Sequence, residues 1–237
     1  MVAHTARRQS SPSDRSDGGA VVDIAIAAIT VWQGQLSVVL ERRIVENASQ
    51  RWQLLHRPLE AHGDADATAL DLLAIAKDAE TSSVIEQLRT YAGVRNGGPI
   101  PGERFVTIAY FALIEELADR LRLSDAIRVF AVDDVLAEPD QFGDVEVLVD
   151  AVERVRSKLE YTTIATRLLP EPFTIPELRR VYEAVWGVVL HPANFRRKVL
   201  ATDGFVRPVT EETHQKGPDL FGRGVAALLH PAMLRPE

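Results

Sequence analysis

Five consecutive residues, Asn194-Phe195-Arg196-Arg197-Lys198, combine an amide, an aromatic ring and three cations in a chain whose formal net charge is −7. An Arg guanidinium matches guanine O6 and N7 or phosphate oxygens, and an Asn amide matches adenine N6 and N7. The same cations also suit the last turn of a helix, where the helix dipole favours positive charge. The run therefore predicts either a surface that meets DNA or a solvated helix face, and periodicity alone does not separate the two.

A first helix is predicted to precede this run. Thr174 and Glu177 have the spacing of a capping box, in which the side chain of each residue bonds the backbone N–H of the other. Gly187 is placed to end the helix, because glycine adopts the left-handed conformation common just after a helix C-terminus. The stretch "GVVL" then leaves only a short turn before the next helix.

The five-residue run belongs to the second helix. Pro192 suits its first position, with His191 or the residue before it as the cap and Gly204 as the stop. Helical spacing turns Phe195, Val199 and Leu200 inward. It turns Asn194, Arg197 and Lys198 outward or sideways.

Two strand-like segments, "FVRPV" and "DLFGRG", follow Gly204 and flank the polar stretch "TEETHQKGP". Helix, short turn, helix and hairpin is the order of a winged helix-turn-helix, whose second helix enters the major groove. Cations scattered through this region favour DNA binding over a solvated face, because one fold would gather them on one surface. The predicted DNA-binding residues are Arg167, Thr174, Arg179, Arg180, Asn194, Arg196, Arg197, Lys198, Arg207 and Lys216.

The first 140 residues have a different texture, which mixes strands with a helix. The stretch "AVVDIAIAAITVWQGQLSVVLERR" predicts a hairpin around Gln33-Gly34. Apolar spacing predicts a helix from about Ala67 to Glu80, and "ERFVTIAYFALIEE" and "IRVFAVDDV" read as strands. From Asp144, helical spacing continues for about six turns without Gly or Pro and predicts a helix that joins two domains. The fold class is therefore α+β.

Composition limits the classes of function. Residues 1–145 carry 14 Lys and Arg against 22 Asp and Glu, whereas residues 146–237 carry 13 against 12. The near-neutral second part permits nucleic-acid binding through local basic clusters. The absence of cysteine excludes disulfides, zinc fingers and thiol nucleophiles. The polar residues 1–19 predict a disordered tail rather than a signal peptide, and no apolar run reaches the roughly 20 residues of a membrane span, so a cytoplasmic location is expected.

The second part resembles the DNA-binding domain of the NrtR family, the Nudix-related transcriptional regulators of NAD metabolism. The resemblance covers about fifty residues and rests on motifs that recur here in order. The matching residues are Lys158, Tyr161-Thr162, Leu168-Leu169-Pro170, Phe173-Thr174, Tyr182-Glu183, Gly187 and Asn194 to Lys198. The resemblance implies a Nudix-like mixed sheet with helices over residues 20–142, and a linker helix and winged helix-turn-helix over residues 143–237.

The first part keeps the order of Nudix elements but not the catalytic pattern. Trp52, "EQL" at Glu86 to Leu88 and "RFVTIAYFALI" resemble family features. Nudix hydrolysis needs a Gly-led loop and a helix whose glutamates, one turn apart, hold Mg²⁺ against a diphosphate. Here Leu55-His56-Arg57 replaces the Pro-Gly-Gly of the family. The helix carries Asp71 and, beside Lys77, Asp78, with no Glu pair, which predicts loss of catalysis.

The resemblance still implies a bound effector such as ADP-ribose or a related nucleotide, and no cofactor. The first candidates for diphosphate contacts are four arginines, because Arg matches phosphate oxygens bidentately. They are Arg42, Arg43, Arg57 and Arg104. Each of them also fits a solvated strand end. His56 and His62, with Glu60 and Asp64 nearby, fit no metal-ligand spacing, and a polar loop explains them better.

The leading hypothesis is a homodimeric transcriptional repressor of NAD biosynthesis or salvage genes, with an inactive Nudix-like sensor. Dimerisation follows from the two half-sites that such proteins bind on double-stranded DNA. A divergent Nudix-type nucleotide-diphosphate hydrolase is the alternative. A scaffold whose winged helix binds protein rather than DNA is a third.

Overall fold

The computed structural model describes residues 20–44, 50–76, 83–94, 104–115, 123–209 and 218–236. In these ranges the chain forms nine strands, five α-helices and two short 3₁₀ segments. The elements are β1 (Val21–Trp32), β2 (Gln35–Ile44), β3 (Gln50–Gln53), β4 (Leu55–Pro58), α1 (Ala65–Leu73), β5 (Ser83–Val94), β6 (Arg104–Ile114), β7 (Ile127–Ala131), α2 (Val132–Ala137), a 3₁₀ segment (Pro139–Gln141), α3 (Val145–Tyr161), a 3₁₀ segment (Ile164–Leu168), α4 (Ile175–Trp186), α5 (Pro192–Ala201), β8 (Val206–Val209) and β9 (Leu220–Arg223).

Seven strands form one mixed sheet that begins with the predicted hairpin. Gln33 and Gly34 both have positive φ, 51° and 79°, which is the conformation of the tight turn that matches strand twist. The order is β3-β2-β1-β6-β5, with β4 also paired to β1 and β7 to β2. The β1–β6 pair is parallel and the other pairs are antiparallel.

Strand β1 separates two apolar clusters. Because side chains alternate across a strand, Ala27, Ile29 and Val31 face one cluster. Ile24, Ile26 and Ala28 face the other, which α1 covers. β1 is thus buried on both faces, which explains its near-continuous apolar sequence.

Helix α1 is shorter than the sequence predicted. It begins at Ala65 because Asp64 caps it, with Asp64 Oδ1 accepting the N–H of Ala67 at 2.8 Å. It ends at Leu73, after which residues 74–76 form a turn. The predicted extension to Glu80 was therefore wrong over the described residues, while residues 77–80 lie outside them.

Two other predicted elements end early. The strand "IRVFAVDDV" stops at Ala131, and the acids Asp133 and Asp134 lie in the first turn of α2, where the helix dipole favours negative charge. The predicted six-turn helix becomes α3, which ends at Tyr161, followed by the 3₁₀ segment Ile164–Leu168. Strands β3, β4 and β5 and helix α2 were not predicted.

The C-terminal region folds as a winged helix. The Thr174–Glu177 capping box is present at the start of α4, and Gly187 ends α4 with φ 68°. Pro192 occupies the first turn of α5, with His191 in the cap position but without a side-chain cap bond. Strands β8 and β9 pair antiparallel, as the wing prediction required.

Two details of α5 differ from the prediction. The helix ends at Ala201 with Thr202 as its cap, whereas Gly204, with φ 66°, lies in the turn that leads into β8. Leu200 is 48% exposed, while Phe195 and Val199 are buried. Two residues of α5, and not the three that the sequence predicted, therefore face the core.

The sheet and the winged helix share one apolar cluster, which also includes α3 and the 3₁₀ segment Ile164–Leu168. Polar contacts within this core fix α4 on α3. The Tyr182 hydroxyl donates to Leu159 O at 3.2 Å, and Trp186 Nε1 donates to Arg156 O at 3.2 Å. None of the helices in the described ranges has the length and apolarity needed to cross a membrane.

The left-handed conformation of Gly187 gives a direct test of the α4–α5 turn. A Cβ added there would meet nothing within 4 Å, so only backbone strain opposes substitution. We expect Gly187→Ala to lower the free energy of unfolding by about 1 kcal/mol. Gly187→Asn should lower it less, because Asn tolerates this conformation. Urea denaturation of both variants measures the difference, and equal losses would contradict the strain explanation.

Candidate nucleic-acid interface and effector region

Helix α5 presents a polar face that is held from behind by two buried side chains. Phe195 is 3% exposed and lies edge-on to the Tyr182 ring, with ring centroids 5.3 Å apart, and Val199 is fully buried. Arg197 is two residues from each, so it points roughly 160–200° away from both. Asn194 and Lys198 are exposed as predicted. Arg197 therefore lies at the centre of the outward face.

Arg196 leaves α5 toward the wing. Its Nη2 lies 2.7 Å from Asp219 Oδ2, just before β9, and its side chain is 47% exposed. An exposed pair of this kind contributes at most about 1 kcal/mol. The Arg196 side chain therefore lies near the wing, and little free energy is needed to break its ion pair with Asp219.

Arg207 lies across the wing hairpin. Its Nη2 is 3.3 Å from Glu171 Oε2, and a Cβ on Gly222, the strand partner of Arg207, would come within 2.9 Å of the guanidinium carbon. Glycine at 222 therefore leaves the space that the Arg207 side chain occupies. Lys216, the other wing candidate, lies outside the described residues.

The candidates on α4 are more constrained. The Thr174 hydroxyl is used in the cap, donating to Glu177 Oε2 at 2.8 Å and accepting the Glu177 N–H at 3.3 Å. Arg179 is largely buried, with Nε 3.6 Å from Glu183 Oε1. Arg180 is 65% exposed and lies 3.9 Å from Glu177. Of these three, Arg180 is the side chain most open to a partner.

Arg167 lies apart from α5. It lines a groove of about 410 Å³ between strand β5 and the segment after β9, together with Lys158 and Arg223, and none of the lining residues comes from α5. The structure therefore does not gather all the predicted DNA-binding residues on one surface. Asn194, Arg196, Arg197 and Lys198 share one helix, whereas Arg167 belongs to the junction with the sheet.

Arg223 is a central contact of that junction, although it is not among the predicted DNA-binding residues. Its guanidinium donates to Thr166 O at 3.1 Å and to Leu169 O at 2.8 Å. It also lies 3.7 Å from Glu115, at the end of β6, and 3.5 Å from Glu171. One side chain of the wing thus contacts the 3₁₀ segment and the sheet. In the sequence, the only feature that could have pointed to Arg223 is that it is a single cation within the otherwise uncharged stretch "LFGRG".

A polar seam runs between β5 and α3. Arg89 lies 2.9 Å from both Glu146 and Asp150, and the Tyr91 hydroxyl donates to Asp150 at 2.6 Å. Burial, reinforced by the hydrogen bond to Asp150, raises the pKa of Tyr91 to about 12. Near the other end of α3, Lys158 lies 2.7 Å from Glu86. These contacts hold α3, the linker helix, along β5, the edge strand of the sheet.

The four effector candidates lie on strands that converge at one end of the sheet. Arg57 is paired with Ile24 near the start of β1, Arg104 begins β6, and Arg42 and Arg43 are near the end of β2. Side-chain alternation places Arg43, Arg57 and Arg104 on the α1 face and Arg42 on the opposite face. The fold therefore favours the first three as a group.

The α1 face carries acids but no cluster of metal ligands. The Tyr110 hydroxyl donates to Asp66 Oδ1 at 2.5 Å, and burial followed by this bond raises the pKa of Tyr110 well above its usual value. Leu72 and Leu73 are buried in the core, and Asp71 is exposed. Within the described ranges, no three His, Asp or Glu side chains are placed to hold a metal.

The two histidines have different environments. His56 points to the α3 side of the sheet, where Nε2 lies 2.9 Å from Asp144 Oδ2, just before α3. His62 is exposed in a turn. The segment at the Gly-Gly position of a Nudix enzyme is part of strand β4 here, and His56 ties this strand to the start of α3.

Taken together, the mixed sheet, linker helix and winged helix define a class of two-part α+β proteins. Residues 165–221 match the family model described as the NrtR DNA-binding winged helix domain. The chain is 28% identical over 197 residues to the ADPR responsive transcriptional repressor NtrR of Acinetobacter baylyi, with 82% of this chain and 75% of the relative covered.

Solved structures of NrtR are similar to this chain over most of its length. The crystal structure of Shewanella oneidensis NrtR matches with a TM-score of 0.68 at 25% identity, covering 86% of this chain and 94% of that one. Its complex with a 27mer DNA matches with a TM-score of 0.66 at 25% identity, covering 87% and 93%. A MutT/nudix family protein from Enterococcus faecalis, at 16% identity and a TM-score of 0.62, covers 87% and 89% and shows the fold alone. The resemblance to NrtR regulators and the predicted fold class are confirmed.

The Arg223 junction yields a stability prediction. Removing the guanidinium leaves Glu115, which is 8% exposed, and two carbonyls without their partner. We expect Arg223→Met to lower the free energy of unfolding by on the order of 2 kcal/mol. Arg207→Met is the matched control, since its pair with Glu171 is exposed and should be worth under about 1 kcal/mol. Thermal unfolding compares them, and equal shifts would argue against a buried junction.

Proposed function

We propose that this chain is a DNA-binding transcriptional repressor whose Nudix-like part, residues 20–142, senses ADP-ribose or a related nucleotide. Residues 143–237 form its DNA-binding part. The observation that carries the proposal is the exposed polar face of α5, centred on Arg197, inside the segment that matches the NrtR winged helix domain. The solved NrtR complex with DNA supports the same use of this fold.

The geometry of α5 supports a division of roles. Arg197 and Asn194, on the outward face, are the candidates for base edges in the major groove. Arg196 and Lys198 project from the two sides of this face of α5 and are the candidates for phosphate contacts. Arg207 on the wing and Arg180 on α4 are further candidates for phosphate contacts. Thr174 contributes through its cap, which fixes the start of α4. Arg179, largely buried beside Glu183, is the weakest candidate.

Two observations support the proposed sensor: the name of a relative and the position of three arginines on the sheet. The Acinetobacter baylyi relative is called ADPR responsive, which supports ADP-ribose as the effector here. Arg57 and Arg104, with Arg43, offer guanidinium groups on the α1 face for the two phosphates. Arg42, on the opposite face of the sheet, is the weakest of the four candidates.

We also propose that the sensor is not an enzyme. The α1 positions where a Nudix helix needs ligands include Leu72 and Leu73, both buried. Asp66 and Asp71 are the exposed acids on the described part of the helix, and the Asp66 carboxylate already accepts the Tyr110 hydroxyl. Lys77 and Asp78 lie outside the described residues. Asp66 and Asp71 are five residues apart and so point about 140° apart, and two such short carboxylates make a poor site for Mg²⁺, which needs several oxygen ligands in octahedral geometry.

A short route connects the proposed effector site to the DNA-binding part. Arg57 and His56 are neighbours on β4 whose side chains point to opposite faces. His56 contacts Asp144, immediately before α3. An effector that draws Arg57 toward it would shift the bond at the start of α3, which packs against α4. Coupling requires that the effector bind the DNA-free arrangement more tightly than the DNA-bound one.

Homodimerisation completes the proposal, because a palindromic operator presents two half-sites to two equivalent helices. The family resemblance points to operators near genes of NAD biosynthesis or salvage. The direction of control, repression, is supported by the name of the relative.

The DNA-reading role of Arg197 can be measured with promoter fragments of the chain's own and neighbouring NAD genes. We expect Arg197→Ala to lose about 1–3 kcal/mol of specific binding and to relax sequence preference at one position. Arg196→Ala should weaken binding to all sequences alike. It should also reduce the slope of log affinity against log salt concentration by about 1. Arg154→Gln, on the exposed side of α3, is the control. Wild-type protein that shows no sequence preference at any salt concentration would refute the regulator.

The effector response is tested in the same assay. We expect ADP-ribose to weaken specific DNA binding, and Arg57→Ala to reduce that response while leaving DNA binding without ADP-ribose intact. Incubation with ADP-ribose and Mg²⁺ should release no AMP. Sustained AMP release by pure protein would favour the hydrolase alternative. An unchanged response in Arg57→Ala would remove Arg57 from the site without affecting the DNA-binding proposal.

A further inference from the structure

The chain continues past the wing and returns along the end of α3 to α5. Residues 229–236, the C-terminal flank, are attached by backbone bonds. Leu229 N–H donates to Tyr161 O and Met233 N–H to Glu160 O, both at 2.8 Å. Arg235 N–H donates to a side-chain oxygen of Glu160 at 3.1 Å. Leu229 and Met233 are 5% and 4% exposed, so the flank is anchored by packing as well.

The C-terminal flank lies beside the outward face of α5. Met233 lines two grooves together with Arg197 and Lys198, and Leu234 and Pro236 line one of these grooves with Asn194. The flank therefore borders the same residues that the proposed function assigns to DNA. It also lies beyond residue 221, where the match to the winged helix family model ends.

The wing and the C-terminal flank border opposite sides of α5. Successive helical residues are about 100° apart, so Arg196 and Lys198 diverge by roughly 200°. Arg196 points to Asp219 at the base of the wing, whereas Lys198 borders the C-terminal flank. A helix in the major groove has a phosphate backbone on each side, because the groove is only about 12 Å wide. Each side of α5 is therefore placed beside one backbone.

We propose that the C-terminal flank is a second DNA-contacting element, which acts on the side of α5 opposite the wing, with Arg235 as its phosphate contact. The proposal rests on the DNA-binding function proposed above and extends it to residues outside the winged helix proper. Arg235 is exposed, and within the described part of the chain no acid pairs with its guanidinium, in contrast to Arg196 and Arg207. Its charge is available to a phosphate without breaking an internal pair.

The test is the salt dependence of DNA binding by the full chain. Each phosphate contact contributes about 0.9 to the slope of log affinity against log salt concentration. We expect Arg235→Gln to reduce the slope by about that amount for specific and random DNA alike, and Arg235→Lys to restore it. Arg154→Gln removes the same charge from the exposed side of α3 and should leave the slope unchanged.

The outcomes separate this proposal from the one it rests on. If Arg235→Gln keeps the wild-type slope while Arg196→Ala lowers it, the C-terminal flank does not touch DNA and the winged-helix reader stands. If Arg154→Gln lowers the slope as much as Arg235→Gln, the effect is one of net charge and the contact is refuted. If the wild-type protein binds no DNA, both proposals fail together.

Discussion

The packing of α3 between the sheet and the winged helix is the interaction on which the rest of the structure depends. Six buried side chains of this helix belong to a single cluster that runs from the sheet into α4 and α5: Val147, Leu148, Ala151, Val152, Val155 and Leu159. An interface built this way resembles a domain core rather than a contact between independent domains. Moving the winged helix relative to the sheet therefore requires repacking, not simple bending.

Close packing has a consequence for signalling. Close-packed cores switch between discrete arrangements more readily than they deform continuously. The proposed effector arginines Arg43, Arg57 and Arg104 lie on the α1 face, and α3 lies on the other, so a signal must cross the sheet. Strand β4 offers a crossing point, because His56 reaches Asp144 from the strand that also carries Arg57. Strand β4 therefore contacts the start of α3 on one face and carries a proposed effector arginine on the other.

The sequence predicted those features that short segments determine. The Thr174 cap, the Gly187 stop, Pro192 and the Gln33-Gly34 turn each depend on residues within a few positions, and the structure contains all of them. Longer-range features escaped prediction. β5 carries polar residues that only its seam with α3 explains, and the four contacts of Arg223 join segments up to about a hundred residues apart. Leu200 was misplaced because α5 packs through only two side chains.

The acidity of the chain is compatible with the proposed DNA binding, because the cations near α5 are held only by exposed ion pairs. Arg196, Arg207 and Arg180 each have an acid within 2.7, 3.3 and 3.9 Å, and all three are well exposed. Such surface pairs contribute little, since water and salt screen them. A phosphate can replace the acid at small cost, and release of counterions from the DNA then favours the complex. Arg197, at the centre of the outward face of α5, is exposed as well.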